Sequence, residues 1–316
     1  MINKKIIIRI SNELGNQMFM YASSLGISKK LNRSLLIDNE TAYLLKKNIS
    51  KYGLNNFNIT SKIAPNNYKF LGFSGYIKRK FLKKIDILKS NKNFFIEYKD
   101  ENKLTHYNNE VFSKNFSNTV YFEGYFESQK YFIDIKDDII NEFNFKDVEK
   151  YKKSPFYRQI NHENSVAICI RQNRFSEGIG KKENVENLTK SINFSKEQIE
   201  YINKSINFFK SKIHNPIFYL WSNDFRELDN SLFTEKINKV IHSEDIESNI
   251  DKRCLDLFLL TQCKNHIVIP SSFNWWGAWL SKSKNKIVTR PSDSYFSDFK
   301  LNNRDFWPNN WVLIDE

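Results

Sequence analysis

Arg171 closes the run SVAICIR (Ser165 to Arg171), where strand alternation puts it on one face with Ser165, Ala167 and Cys169. Open α/β sheets hold their ligands at the carboxyl ends of strands, and a guanidinium there can clamp a diphosphate with two parallel bonds. Each charge-assisted bond of that kind contributes ~1.5–3 kcal/mol. A solvated arginine at a strand end fits the same residues equally well. Ser271 and Ser272 follow the apolar run NHIVIP and open FNWWGAWLS, so hydroxyls and free backbone N–H groups meet at a helix N-terminus. That is an anion site ready for use, although a plain serine cap is the commoner employment of either residue. Asp256, on the helical segment before it, could accept the N1–H and N2–H donors of a guanine or simply balance a helix dipole. At the other end of the chain, Asn12-Glu13-Leu14-Gly15-Asn16-Gln17 fills a strand-to-helix turn. Glu13 there is a candidate general base, or a carboxylate of the first helical turn.

Other chemistries lack their residues. The nine glycines include no G-x-G-x-x-G, and GIGKK (Gly178 to Lys182) lacks the spacing of a phosphate-binding P-loop. A nicotinamide dehydrogenase and a P-loop kinase are thereby disfavoured, and any phosphate must be held by side chains and helix N-termini. Cys169, Cys254 and Cys263 form no C-x-x-C, and the five histidines show no H-x-x-x-H or H-E-x-x-H spacing, so no metal is expected. Lysine and arginine (49) exceed aspartate and glutamate (36), for a net charge of +13. That excess favours an anionic partner: a nucleotide, a nucleic acid or an anionic membrane surface.

The elements that must position these residues follow from the pattern of the chain. KIIIRIS (Lys5 to Ser11) is short, β-branched and apolar like a buried parallel strand, and it is followed by a helix with Met18, Ala22 and Leu25 at helical spacing. SLLID (Ser34 to Asp38) completes a βαβ unit. Residues 39–117 are rich in Lys, Asn and aromatics and are expected to be helical with long loops. TVYFEGYFESQKYF (Thr119 to Phe132) gives a strand, a break at Gly124 and an amphipathic helix. Polar residues from Asp147 to Asn164 set a domain boundary, dividing the chain into 1–150 and 151–316. Beyond it lie the strand ending at Arg171, a helix from Ser195 (its N-cap) to Ile213, and the strands NPIFYLWS and KVIHS. The short buried helix LDLFLLTQC, the strand NHIVIP, the helix holding Trp275, Trp276 and Trp279 as core, and a last strand NKIVTRP complete the series. Such alternation means parallel doubly wound sheets, hence an α/β chain of two Rossmann-like domains facing a cleft.

Read together, the segments resemble the α-1,2-fucosyltransferases of glycosyltransferase family 11. The opening G-G-L-G-N-Q-hydrophobic-F-x-Y-A appears as NELGNQMFMYA (Asn12 to Ala22), and G-Y-hydrophobic-Q-S-E-K-Y-F as GYFESQKYF (Gly124 to Phe132). The box H-x-R-R-G-D-Y aligns with CIRQNRF (Cys169 to Phe175), and a strand end F-S-D-D with WSND (Trp221 to Asp224). CKNHIVIPSSFNWWGAWL (Cys263 to Leu280) and the tail DFWPNNWVLI match most specifically. The departures are Cys169 for the box histidine, Gln172 for the second arginine, Asn173 for the glycine and Arg174 for the aspartate; Asn12 and Glu13 replace the glycine pair.

The resemblance implies a GT-B fold, with 1–150 on the acceptor side and 151–316 binding GDP-fucose; the C-terminal tail is expected to pack back on the first domain. It implies metal-independent, inverting transfer of L-fucose from GDP-fucose, a co-substrate, to the 2-hydroxyl of a terminal galactoside, with no cofactor. Arg171 would hold the departing diphosphate, Ser271 and Ser272 with Phe273 and Asn223 would line the donor site, and Asp256 would read guanine. Asn16 and Gln17 fall on the acceptor side. With Arg174 in place of the box aspartate, Glu13 is the expected base, Glu177 the runner-up, and a late transition state needing no strong base the third choice. Two alternatives stand beside this: a GT-B transferase for another GDP-sugar, and a basic nucleic-acid-binding protein, for which no recognition helix, RNP-type motif or zinc finger is found. With no signal peptide or span in the sequence, the expectation is a cytoplasmic enzyme, peripheral at the inner membrane. There it would act on a galactose-terminated, lipid-linked glycan in O-antigen or other surface polysaccharide synthesis.

Overall fold

A computed structural model describes residues 4–44, 51–101, 104–161, 164–177, 184–242, 250–296, 299 and 301–315. The GIGKK segment and His162 lie outside the described residues. The chain forms two compact units, Met1–Lys146 with Arg304–Phe306, and Asp147–Asn303 with Trp307–Glu316.

In the first unit five strands, β1 (Lys5–Arg9), β2 (Ser34–Asp38), β3 (Lys62–Ile63), β4 (Lys92–Ile96) and β5 (Phe116–Glu123), make a parallel sheet in the order β3-β2-β1-β5-β4. β1 lies between β2 and β5, with Ile7 opposite Leu36 and Tyr121, so Ile6, Ile7 and Ile8 are all buried. Covered on both faces, such a strand must be apolar throughout. Helix α1 (Leu14–Lys30) is buried on every side from Leu14 to Ser28 except at Asn16. α2 (Gly72–Asp86) precedes β4, and α3 (Lys136–Glu142) follows β5. The helix expected after Gly124 is instead two 3-10 turns, Gln129–Tyr131 and Ile133–Ile135. Phe126 takes a left-handed backbone (φ 52), and the tight turns after it carry Tyr131 and Phe132 into the core beside it. A regular helix would keep the chain on one heading there.

The second unit carries six parallel strands, β6 (Ser165–Ile170), β7 (Ile217–Ser222), β8 (Ile237–Lys239), β9 (Asn265–Ile267), β10 (Val288–Pro291) and β11 (Val312–Ile314), in the order β11-β10-β9-β6-β7-β8. Counted from the first strand of the unit, this is the order 3-2-1-4-5-6 of dinucleotide-binding Rossmann sheets. Its helices are α4 (Val148–Lys152), α5 (Pro155–Ile160), α6 (Val185–Lys212), α7 (Lys252–Gln262) and α8 (Ser272–Leu280), while most of the single turn α9 (Asn303–Phe306) belongs to the first unit. NKIVTRP is therefore not the last strand, because β11 pairs outside it with Val312 opposite Thr289. α6 is longer than its apolar stripe suggests. It starts at Val185, with the Asn184 side chain capping Asn187 N at 3.2 Å, and Ser195 lies inside the helix. There the Ser195 hydroxyl donates to Gln172 Oε1 at 3.1 Å, while Ser191 and Phe194 extend the buried face backward. Trp275, Trp276 and Trp279 are core, as expected, with the Trp311 ring tilted against the same cluster, its centre 5.7 Å from that of Trp275.

Candidate functional site

The sheet order of the second unit has one reversal point. β6 pairs with β7 on one side and β9 on the other, and in sheets of this order ligands bind beyond the carboxyl ends of the two strands at the reversal, here β6 and β9. Arg171 follows β6, and Ser271 and Ser272 follow β9. Both candidate anion-binding groups thus stand at the ends of neighbouring strands.

Arg171 is held from several directions. Its backbone N–H donates to Gln198 Oε1 (2.8 Å) and its carbonyl accepts from Gln198 Nε2 (3.0 Å), which fixes the strand end against α6. Its Nη2 donates to Glu177 Oε2 at 2.5 Å, while its Nε is buried with no partner among the described residues. Asn223, after β7, accepts from Gln172 N (2.8 Å) and donates to Gln172 O (3.1 Å) and Glu177 Oε1 (3.1 Å). Arg171, Gln172, Glu177 and Asn223 are therefore one network across the ends of β6 and β7.

Across the reversal point, Ser271 caps α8 with an extended backbone (φ −147, ψ 122), yet its hydroxyl makes no capping bond. Asn274, in the first turn of α8, accepts from Ile269 N at 2.9 Å and donates to Cys169 Sγ at 3.1 Å. This carboxamide ties the helix start to the ends of β9 and β6. Burial pushes the Cys169 thiol well above its usual range, with the charge of Asp256 adding to the effect, so Cys169 is a neutral packing group where the family pattern has histidine. Ser272 and Phe273 are half-buried at the same helix start.

Asp256, on α7, accepts from or shares a proton with His242 Nε2 through Oδ1 at 2.6 Å. His242 Nδ1 is buried and unpartnered among the described residues, and Phe156 packs edge-on against the ring at 5.9 Å. Sequence reasoning missed this histidine as Asp256's partner because the pairing crosses from the end of the β8 region to a helix.

In the first unit the corresponding reversal lies between β1 and β5. Asn12 stands after β1 in a left-handed conformation (φ 61), and its amide donates to the Tyr125 hydroxyl. Asn173 is also left-handed (φ 57). These asparagines occupy two of the three places where this chain departs from a glycine of the family pattern, and asparagine is among the residues that tolerate this region best. Glu13 is exposed with φ −79, a backbone that requires no glycine. Asn16 donates to Glu127 Oε1 at 3.0 Å. Gln17, expected to face an acceptor, is fully buried; its Nε2 donates to the carbonyls of Asn12 (2.7 Å) and Lys51 (3.0 Å), and its Oε1 accepts from Gly53 N (2.9 Å). Its carboxamide is spent on holding the turn, which makes it a positioning residue.

No motif or spacing in the chain points to Glu97. It follows β4 and accepts from the backbone N–H groups of Tyr125 (2.7 Å) and Phe126 (2.9 Å), and burial pushes its carboxyl up to about 7, with Glu127's charge in the same direction. A Cβ on Gly124 would stand 2.4 Å from Glu97 Cβ, which is why that position excludes larger residues. A cavity of about 460 Å³ opens beside Glu97, walled by Tyr98, Tyr107, Asn108 and Tyr131. Asp305 in the tail holds that wall, accepting from Tyr107 N (3.1 Å) and Lys130 Nζ (2.5 Å).

A sequence model described as Glycosyl transferase family 11 matches residues 2–315. The chain belongs to this family. Among the family 11 chain's relatives, an α-1,2-colitosyltransferase of Escherichia coli is 28% identical over 98% of this chain and 99% of its own length. The O-antigen biosynthesis glycosyltransferase WbnK of Escherichia coli is 26% identical over 89% of this chain and 92% of its own. Crystal structures of the fucosyltransferase NodZ from Bradyrhizobium match at TM-score 0.50 and 15% identity, over 87% of this chain and 92% of that one. NodZ soaked with GDP-fucose matches at TM-score 0.51 and 15% identity, over 88% and 92%. At this identity the likeness speaks for the fold, which is GT-B. Among the described residues no group of three or more His, Cys, Asp or Glu is placed to hold a metal ion, and no helix is long and apolar enough to cross a membrane.

Proposed function

We propose that this family 11 glycosyltransferase moves L-fucose from GDP-β-L-fucose to the 2-hydroxyl of a terminal galactoside, with inversion and without a metal, in O-antigen or related surface glycan synthesis. The observation that carries the reading is the buried Nε of Arg171 at the end of β6, without a partner among the described residues, beside the strand that leads into the N-terminus of α8.

The chemistry follows from charge. As the bond between the sugar's anomeric carbon and the diphosphate oxygen breaks, negative charge grows on GDP and positive charge on the ring. Arg171 and the α8 N-terminus with Ser271 and Ser272 stabilise the departing diphosphate, a contribution of roughly 2.7–4 kcal/mol per well-placed donor. Phe273 and Asn223 border the donor, Asn223 by fixing Glu177, whose two oxygens hold Asn223 and Arg171. On this reading Glu177 orients Arg171. Asp256 reads the N1–H and N2–H of guanine through its second oxygen, with His242 steadying the first. The acceptor hydroxyl attacks from the opposite face of the sugar, its proton passing to Glu13, while Asn16 serves the acceptor side. The acceptor is a galactose-terminated glycan, lipid-linked at the inner face of the membrane.

A second reading keeps this machinery and changes the sugar. The 28% identical colitosyltransferase favours it, since colitose is L-fucose without the 3-hydroxyl. Incubating the protein with GDP-fucose or GDP-colitose and Galβ1,3-GalNAc or Galβ1,4-Glc, in EDTA, separates the two. An α-1,2-linked fucoside by NMR supports the first reading, colitose alone the second. Turnover of a UDP-sugar and of neither GDP-sugar would contradict both.

A further inference from the structure

α2 is fastened to the sheet of the first unit by one side only. Leu82 packs on the cluster of Ile7, Ala64, Phe94 and Tyr121. Arg79 donates to both oxygens of Glu123 (2.7 and 3.2 Å), Lys83 donates to the same carboxylate (2.9 Å), and Asp86 accepts from the backbone of Asn93 (2.8 Å) and Phe94 (3.0 Å). Gly75 faces the same way, since a Cβ there would lie 2.5 Å from the Phe70 carbonyl carbon.

The opposite side is where a surface helix carries its polar residues. Here it carries Phe73 (79% exposed), Ile77 (51%) and Phe81 (62%), at successive i, i+4 positions, flanked by Tyr76. Ile87 (76%) and Leu88 (88%) continue the apolar surface just beyond the last turn. Lys78, Lys80 and Lys84 are exposed among them, with Lys80 Nζ 4.6 Å from the centre of the Tyr76 ring. Between Gly72 and Lys89 there are six lysines and arginines against one carboxylate, Asp86, and that one points inward.

We propose that the outward face of α2 with Ile87 and Leu88 docks on an anionic phospholipid bilayer. Aromatic and aliphatic side chains interleaved with lysines suit the boundary between headgroups and acyl chains, where apolar rings enter and lysines snorkel to phosphate. The cores of protein interfaces are depleted of lysine, which makes a second protein the poorer occupant. The helix lies on the bilayer and does not span it: its 15 residues include five lysines and arginines. The inference stands on α2 alone and is independent of which sugar the enzyme transfers.

Flotation of the full chain with phosphatidylcholine vesicles, and with vesicles containing phosphatidylglycerol at roughly one part in three, tests it. The chain is expected to float with the anionic vesicles only, and to be released as salt rises. Phe73→Ser/Phe81→Ser and Lys80→Glu/Lys84→Glu, both on exposed positions, are each expected to cut the bound fraction at least about tenfold with thermal melting unchanged. Equal flotation with neutral vesicles, no flotation, or unaffected binding by either double variant overturns the proposal. So does a dimer in sedimentation that Phe73→Ser/Phe81→Ser dissolves while flotation persists.

Discussion

The guanidinium of Arg171 meets the carboxylate of Glu177 at 2.5 Å, yet its Nε is buried without a partner among the described residues. The pair is 40% and 37% exposed, so it contributes only about 0–1 kcal/mol to stability. Its value lies in aiming a cation. Arg171→Ala should therefore lower kcat/KM by roughly 10²–10³-fold while moving the melting temperature little. Steady-state kinetics beside a thermal melt checks both halves; a loss below about threefold would remove Arg171 from the leaving-group site.

His242 Nε2 lies 2.6 Å from Asp256 Oδ1, and the proposed guanine site uses both residues. Asp256→Asn should weaken GDP binding by roughly 10–100-fold, the worth of hydrogen bonds to a charged group, and leave the weak binding of ADP unchanged. His242→Phe should weaken GDP binding less, because it frees the carboxylate without deleting it. Calorimetric titration of both variants with both nucleotides decides the matter. An equal loss for ADP would point to general damage and not to guanine recognition.

Glu13 is exposed at the head of α1, where it stands as the N-cap residue. As the base it should contribute ~10²–10⁴-fold, so Glu13→Gln should retain GDP affinity and lose at least that much kcat. Retention of more than about a tenth of kcat would assign the proton to solvent or to another group.

Two buried groups make stability depend on pH with opposite signs. Burial pushes His266 down to about 3, helped by Lys286, from an ordinary value of 6.5. Between these values the unfolded chain binds a proton that the folded chain refuses, so stability falls as the solution is acidified. Glu97 is raised from 4.5 to about 7, so the folded chain holds the extra proton and stability falls as pH rises through that window. The Glu97 contribution is on the order of 3 kcal/mol. Urea-unfolding midpoints should show less loss between about pH 5 and about pH 8 in Glu97→Gln than in the parent, and His266→Leu should flatten the acid side. Parallel profiles for parent and variants would refute these assignments.

The elements that carry the donor-side residues were legible because their signals are local. SVAICI is apolar after Ser165 since β6 is buried on both faces, and WWGAW lies on a helix opened by serine. β3, two residues long and exposed, and β11, three residues long, are too short to carry a period. The early start of α6 was hidden because its first turns bury little beyond Ser191 and Phe194. Glu97 and His242 were illegible for a different reason. Their roles arise from contacts across the chain, Glu97 with the backbone after β5 and His242 with α7, and no spacing rule connects such residues. Asn12 and Asn173 were visible only as departures from a glycine pattern; their positive φ values explain why the departures are tolerated.

A guanine-selective diphosphate site at the β6/β9 reversal requires a definite order of nucleotide affinities. Isothermal titration of the parent chain with GDP, UDP and ADP, in EDTA, tests it most directly. GDP should bind at least about tenfold more tightly than either other nucleotide, with the preference abolished in Asp256→Asn and all binding weakened in Arg171→Ala. Equal affinity for the three nucleotides, or GDP binding untouched by both substitutions, would contradict the account.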